Sequence, residues 1–251
     1  MLEEYYNKET ETLTLPINFN SLLEDLPLGA KKIIFFEEHC YNNTYSIFNK
    51  SVDNLPSSLT HLTFGAYFNQ KVDNLPSSLT HLTFGLLFNK KVKNLPSSLT
   101  HLTFRTNFNE KVDNLPSSLT DITFGHNFNQ TVDNLPLSLT HLKCCGEFNQ
   151  TVDNLPSSLT HLTFECEFNQ KVDNLPSSLT HLTFECEFDQ TVDNLPSSLT
   201  HLAFGWYFNQ IVNNLPLSLK EIKIQKTNVN LYQMKIPFGC KVVDKNNMEI
   251  L

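Results

Sequence analysis

The sequence predicts a β-rich solenoid, a fold in which short repeats stack on one another and bury their apolar side chains between neighbouring coils. Three observations predict it. From residue 48 to residue 227 the chain is nine tandem copies of one 20-residue unit, without insertion or deletion. Each copy holds one short alternating segment and one Leu-Pro turn. A unit of this size is too small to bury a core alone, so its stability must come from its neighbours.

The end of each unit predicts a β-strand. In the first unit His61 and Thr63 alternate with Leu62 and Phe64, and this two-residue period is typical of a half-buried strand. We therefore expect Leu62 and Phe64 to face the core and the His and Thr side chains to face solvent. Strands at the same position of successive units would pair into one parallel sheet.

The rest of each unit predicts a return segment of extended or 3-10 backbone, since 20 residues hardly leave room for an α-helix beside a strand. Asp53, Asn54 and Pro56 favour turns in this segment. The side chains that we expect to turn inward from it are Val52, Leu55, Leu59 and Phe68.

Three repeated positions predict ladders that run from coil to coil. The Phe68 position forms one aromatic column and the Phe64 position a second, which is broken only by Cys144. The Asn69 position is Asn in nearly every unit, and stacked amides of this kind can bond successive backbones. These columns predict stability rather than function.

The flanks carry eroded versions of the unit. Before the repeats, Leu26-Pro27 is followed at the strand positions by Ile33 and Phe35, and after them Ile236-Pro237 is followed by Val242-Val243. The sequence thus predicts about eleven coils. Its predicted organisation is an N-terminal cap with a degenerate repeat and a loop (1–47, the loop at 37–47), nine tandem repeats (48–227) and a C-terminal capping coil (228–251).

Composition excludes several classes of partner. The net charge is −8, from 18 Lys and Arg against 26 Asp and Glu, which argues against nucleic acid and anionic membranes. The sequence has no secretory signal and no apolar run of membrane-spanning length. Its six cysteines form no CxxC pair, so reduced thiols are the simpler interpretation. We expect an intracellular, cytoplasmic monomer.

The repeated unit carries a family resemblance. Phe48-Asn-x-x-Val52-x-Asn-Leu-Pro-x-Ser-Leu59-x-x-Leu62-x-Phe64 closely resembles the FNIP repeat, known from amoebae and the giant viruses of amoebae. The resemblance covers nearly the whole chain. It implies a right-handed solenoid similar to leucine-rich repeats, without an assigned enzymatic activity.

An alternative concerns the N-terminal segment. Some members of the resembled family carry an F-box before the repeats, and Leu15-Pro16, Leu22-Leu23 and Leu26-Pro27 are faintly similar to one. The chain would then be a substrate-recognition subunit of a ubiquitin ligase. The same residues also satisfy the repeat spacing, which favours a degenerate coil.

The outward column of the strands is the first candidate for chemistry. It holds seven histidines, His61, His81, His101, His141, His161, His181 and His201, with Asp121 in the gap. A metal-binding strip or a pH sensor is one alternative. Parallel side chains present a row rather than a tetrahedron, so we expect no metal, and a solvated polar face is the simpler interpretation. Protonation near pH 6 should still loosen the array.

Catalysis finds no support in the sequence. Near-identical Ser, Thr and His residues recur in every unit, so none forms a unique nucleophile–base pair. We expect no enzymatic activity, no catalytic residue and no cofactor.

The informative positions are those where the copies differ, and these are the three residues after each strand. Acidic residues cluster there in three successive units, beside two aromatic residues. Solenoids of this kind often present binding loops at this edge. Neutral drift in tolerant loops would also explain these differences. The alternative hypothesis is that a protein partner, basic in charge, binds a surface formed by Glu147, Glu165, Glu167, Glu185, Glu187, Trp206 and Tyr207, with His161, His181 and His201.

Overall fold

A computed structural model describes residues 2–36, 45–225 and 234–251 of the chain. It divides into two compact units, Met1–His126 (unit 1) and Asn127–Leu251 (unit 2). Each unit is built of stacked coils whose strands form a mostly parallel sheet. The predicted β-rich solenoid of about eleven coils is confirmed. Most of the predicted loop, residues 37–44, lies outside the described residues.

Unit 1 begins with a short 3-10 helix, Leu2–Tyr5. Its strands are β1 (Tyr6–Asn7), β2 (Thr12–Leu15), β3 (Lys32–Phe35), β4 (His61–Thr63), β5 (His81–Thr83), β6 (His101–Thr103) and β7 (Asp121–Phe124). The first two strands pair antiparallel, and each later strand pairs in parallel with the one before it.

Unit 2 contains the remaining strands, which pair in parallel and in chain order. They are β8 (His141–Cys144), β9 (His161–Phe164), β10 (His181–Phe184), β11 (His201–Phe204), β12 (Glu221–Ile224) and β13 (Lys241–Val243). The register places identical repeat positions opposite each other, so that His161 pairs with His181 and Leu162 with Leu182.

The core lies on the inner side of each sheet, as the alternation predicts. Leu62 and Phe64 are almost fully buried, whereas His61 and Thr63, which alternate with them, are partly exposed. The two predicted Phe columns pack against each other as well as along the array. The rings of Phe64 and Phe68 lie face to face at 3.6 Å between centroids, and Phe64 reaches Phe84 of the next coil at 5.7 Å. Each coil therefore buries its aromatic rings against those of its neighbours.

The return segment takes the extended form, one of the two that the sequence predicted, and differs from the prediction at one side chain. It is extended backbone with isolated turns, one of which is closed by a hydrogen bond from Leu59 N–H to the Pro56 carbonyl (3.0 Å), and among the described repeat residues it forms no 3-10 helix. Leu55 was expected inside, but it is only half-buried there. At the same repeat position Leu135, Leu155 and Leu215 are buried, so the burial of this side chain differs between coils.

Side-chain hydrogen bonds join successive coils at repeated positions. The Asn49 amide oxygen accepts from the backbone N–H of Asn69 at 2.9 Å, as the predicted amide ladder requires. The Asn74 amide donates to Asp53 at 3.0 Å, so the Asp column also links coils. The bond from Asn69 N–H satisfies a backbone group that the short strands leave unpaired.

Candidate functional site

The outer face of unit 2 carries the predicted histidines. His161, His181 and His201 stack as parallel rings, with centroids 4.2 Å and 4.3 Å apart. Strand alternation points them away from the core, and the in-register pairing of the strands sets their spacing. The three predicted histidines therefore lie together as one row.

The hydroxyl of the preceding threonine contacts Nδ1 of each of these histidine rings. Thr180 Oγ1 donates to the carbonyl of Thr160 at 3.1 Å and lies 2.9 Å from Nδ1 of His181. A hydroxyl has one proton, so when it donates to the carbonyl, the contact with the ring uses Nδ1–H as the donor. In the neutral form of His181, Nε2 is then the unprotonated ring nitrogen. Burial, followed by the charges of His201 and His141, lowers the pKa of His181 and favours this neutral form.

Glu165 extends the same outer face beyond the strand. Its carboxylate Oε1 lies 2.7 Å from Nζ of Lys143 in the preceding coil. The hydrogen bond to Glu165 raises the pKa of Lys143. Burial, followed by the hydrogen bond to Glu165, raises the pKa of Cys145 to about 12. Glu165 is therefore a partly neutralised carboxylate rather than a free one.

The edge that follows the strands holds a second acidic row. Glu147, Glu167 and Glu187 are exposed at equivalent positions of three coils. The backbone keeps them in register, because Glu167 N–H donates to the Gly146 carbonyl at 3.0 Å and Glu187 N–H to the Cys166 carbonyl at 2.9 Å. Their backbones are thus held about one strand spacing, ~4.8 Å, apart.

Two exposed aromatic residues continue this edge. Trp206 and Tyr207 are 45 % and 60 % exposed. Tyr207 N–H donates to the Cys186 carbonyl at 3.1 Å, so its loop follows that of Glu187. Nζ of Lys245 lies 5.8 Å from the centroid of the Trp206 ring, within the range of a cation–π contact.

The predicted surface is therefore two rows rather than one patch. The histidines, Glu165 and Glu185 lie on the outer face of the sheet, whereas Glu147, Glu167, Glu187 and Tyr207 follow its edge. The loop after each strand separates the two rows.

A cluster of lysines in unit 1 was not predicted. Lys71, Lys90, Lys91 and Lys93 line one cleft together with Asp73 and Glu110. Lys90 and Lys93 stand where most units have Gln and Asp. This departure from the repeat was visible in the sequence and is the signal that could have found the cluster.

Two of the N-terminal leucines, Leu15 and Leu23, lie in the solenoid core, whereas Leu22 is 55 % exposed. Leu15 belongs to β2 and is fully buried, and Leu23 is 5 % exposed. Between Tyr6 and Phe36 the chain forms strands, turns and extended backbone. The segment compared with an F-box therefore packs as coils of the solenoid.

The described ranges contain neither a group of metal ligands nor a membrane-spanning helix. In residues 2–36, 45–225 and 234–251, no three His, Cys, Asp or Glu side chains are grouped so that they could hold a metal ion. Nor do these residues include a helix of the length and apolarity that crossing a bilayer requires.

Comparison with known proteins adds to this geometry. CroV588, a giant-virus protein described as a novel circular LRR protein structure, is 42 % identical with a TM-score of 0.76. The alignment covers 92 % of this chain but only 39 % of CroV588, so the chain spans well under half of that protein. YopM from Yersinia enterocolitica WA-314 is 18 % identical with a TM-score of 0.47, over 90 % of this chain and 62 % of YopM. No curated protein sequence matches the chain.

The family assignment comes from the repeats themselves. The family described as FNIP Repeat matches residues 48–87, 88–127, 111–144, 148–187 and 188–227, which together make up well over half of the chain. Repeat solenoids of the leucine-rich type are commonly used for protein interaction. This chain belongs to the FNIP repeat family, as a leucine-rich-repeat-like β-solenoid.

Proposed function

We propose that this chain is a non-enzymatic scaffold that binds a basic protein through unit 2. The observation that carries the proposal is the position of Trp206 and Tyr207, 45 % and 60 % exposed, at the end of a row of exposed carboxylates. Large exposed aromatic residues are favoured anchors of protein interfaces. A row of like charges beside them selects a partner of opposite charge and speeds its association.

The edge row provides the proposed contact. Glu167, Glu187 and Tyr207 line one shallow cleft along the loops after β9, β10 and β11. Because the backbones of these loops are hydrogen-bonded to each other, the loops are held in place before a partner arrives. A surface prepared in this way loses less loop entropy on binding.

The sheet-face row has a secondary role in the proposal. His161, His181 and His201 form a stacked row of rings, and a neutral imidazole nitrogen can accept a hydrogen bond from a Lys or Arg side chain of a basic partner. Glu185 adds a carboxylate to this row. Glu165 contributes less, because Lys143 already neutralises part of its charge.

The repetitive architecture supports a scaffold rather than an enzyme. The Thr–His pairs of the outer face recur from coil to coil with the same contacts. Catalysis needs a nucleophile, a base and an orienting group that converge at one place. Identical rows offer many equivalent weak contacts instead, which suits a protein surface.

Affinity capture tests the proposal. The wild-type chain and a variant with Glu167→Lys, Glu187→Lys, Trp206→Ala and Tyr207→Ala are used as bait in the native lysate, with quantitative mass spectrometry. The matched control carries Asp153→Lys and Asp173→Lys, which reverse the same number of exposed charges at the turns of unit 2. Circular dichroism verifies that all three are folded.

We expect basic proteins that bind the wild type and the control but bind the edge variant at least about tenfold more weakly. Their affinity should also fall as salt is raised, because exposed charges are screened. Equal binding to all three baits, or dependence on the control residues alone, would place the interface elsewhere.

A further inference from the structure

Two cysteines occupy equivalent positions of consecutive coils in unit 2. Cys166 follows β9 and Cys186 follows β10, and both are partly exposed. The thiol of Cys186 points at Sγ of Cys166, with 3.9 Å between the sulfur atoms. The two loops are joined by the hydrogen bond from Glu187 N–H to the Cys166 carbonyl, at 2.9 Å.

This arrangement meets the geometric needs of a disulfide. Hydrogen-bonded neighbouring backbones lie about 4.7–4.9 Å apart. That spacing falls inside the Cα–Cα range of about 4.4–6.8 Å found in disulfides. The sulfur atoms must approach by about 2 Å to reach a bond of ~2.05 Å, which side-chain rotation can provide. The backbone need not move from its register.

We propose that Cys166 and Cys186 are an oxidative modification site, at which hydrogen peroxide converts the two thiols to a disulfide that joins consecutive coils. One sulfur attacks the peroxide, so that an S–O bond forms, the O–O bond breaks and water leaves after proton transfer. The second sulfur then attacks the resulting sulfenic acid, so that the S–S bond forms and the hydroxyl leaves as water. In total the thiols lose two protons and two electrons, and the peroxide is reduced to two waters.

The other described cysteines lack this combination of exposure and a partner thiol. Cys144 and Cys240 are buried. Cys145 is partly exposed, but burial and Glu165 raise its pKa to about 12, so it offers almost no thiolate at neutral pH. Burial, followed by the hydrogen bond with Cys186, also raises the pKa of Cys166, so we expect its oxidation to be slower than that of free glutathione.

Acidic side chains near the two cysteines favour an uncharged oxidant. Glu167 and Glu187 line the same cleft as the two cysteines. Their negative charges repel anionic oxidants such as glutathione disulfide. Hydrogen peroxide is small and neutral, so it reaches the sulfur atoms without this penalty. At equal concentration we expect peroxide to form the bridge and glutathione disulfide to be slow.

Mass spectrometry of the full chain tests the proposal. A background with Cys40→Ser removes a thiol outside the described residues, and Cys145→Ser is the matched control. After peroxide treatment we expect a loss of roughly 2 Da, the mass of two hydrogens, and a linked peptide containing Cys166 and Cys186. Cys166→Ser and Cys186→Ser should each abolish that loss, whereas Cys145→Ser should retain it.

Two further measurements give independent outcomes. Trp206 is the single tryptophan and follows Cys186 in register, so its fluorescence should fall on oxidation and recover with a phosphine reductant. The midpoint of thermal unfolding should rise by several degrees, because the bridge closes a loop of about 20 residues. Conversion to sulfinic or sulfonic acid, a disulfide-linked dimer, or an unchanged 2 Da loss in Cys166→Ser would overturn the proposal.

Discussion

Nζ of Lys143 lies 2.7 Å from Oε1 of Glu165, its neighbour one coil further along the outer face of unit 2. Lys143 replaces the threonine that most units carry at this strand position. The pair therefore places a positive charge inside the row of His and Glu side chains. It also explains why the pKa of Lys143 is raised, since the hydrogen bond to Glu165 stabilises the ammonium.

Separating this pair should cost little stability. The side chains of Lys143 and Glu165 are 47 % and 25 % exposed, and water screens exposed ion pairs. In a double-mutant cycle with Lys143→Thr and Glu165→Gln we expect a coupling free energy of about 0.2–1 kcal/mol, measured by urea unfolding. The coupling should shrink in 1 M salt. A coupling well above this range, or one insensitive to salt, would mean that the pair is a core element of the fold.

The sequence predicted the core because its signal is periodic. Leu62 and Phe64 alternate with polar residues, so that the strand and its buried face follow directly. Leu55 is only half-buried, whereas Leu155 at the same repeat position is buried. The burial of this side chain therefore depends on packing within each coil, which a repeat pattern does not contain.

The candidate site was predicted less completely. Extending the alternation one step past Phe164 would have placed Glu165 outside, on the histidine face. The contacts of Glu165 with Lys143 and of His181 with Thr180 depend on side-chain rotamers, which a repeat pattern does not contain. The repeat pattern also does not show how the backbone differs between coils. A Cβ on Gly205 would lie 1.9 Å from the Glu185 carbonyl oxygen, although other units carry side chains at this register.

Acidification should destabilise the chain through the histidine rows. The pKa values of His61 and His81 are lowered mainly by burial, then by the charges of Lys32 and His101 respectively. Unfolded histidine titrates near pH 6.5, so below that pH the unfolded chain binds more protons than the folded one. Stability is therefore complete above about pH 7 and falls as the pH drops through 6.5, until the lowered folded pKa values are passed.

The loss should be at most about 1 kcal/mol for these two rings, because solvent screens them in part. Urea unfolding at pH 7.5, 6.5 and 5.5 measures it. Asp121→Asn provides the comparison, since the Asp121 carboxylate raises the pKa of His81 and lies 3.5 Å from Nε2 of His101. That variant should lose more stability on acidification than the wild type. A melting temperature unchanged between pH 7.5 and pH 5 would dismiss the idea.

The stability of the amide ladder in unit 2 should depend on a side-chain oxygen that accepts hydrogen bonds, and not on whether that oxygen belongs to an amide or a carboxylate. The Asn149 side-chain oxygen accepts from Asn169 N–H at 3.0 Å and from the Gln170 side chain at 3.1 Å. Asn149→Ala removes both bonds and leaves a backbone N–H of the next coil without its acceptor, which should cost about 1–3 kcal/mol in urea unfolding. Asn149→Asp should cost much less, because Asp189 already accepts from Asn209 N–H at 2.8 Å in an equivalent position. If Ala and Asp were equally harmful, the packing volume of the amide rather than its oxygen would stabilise the coil.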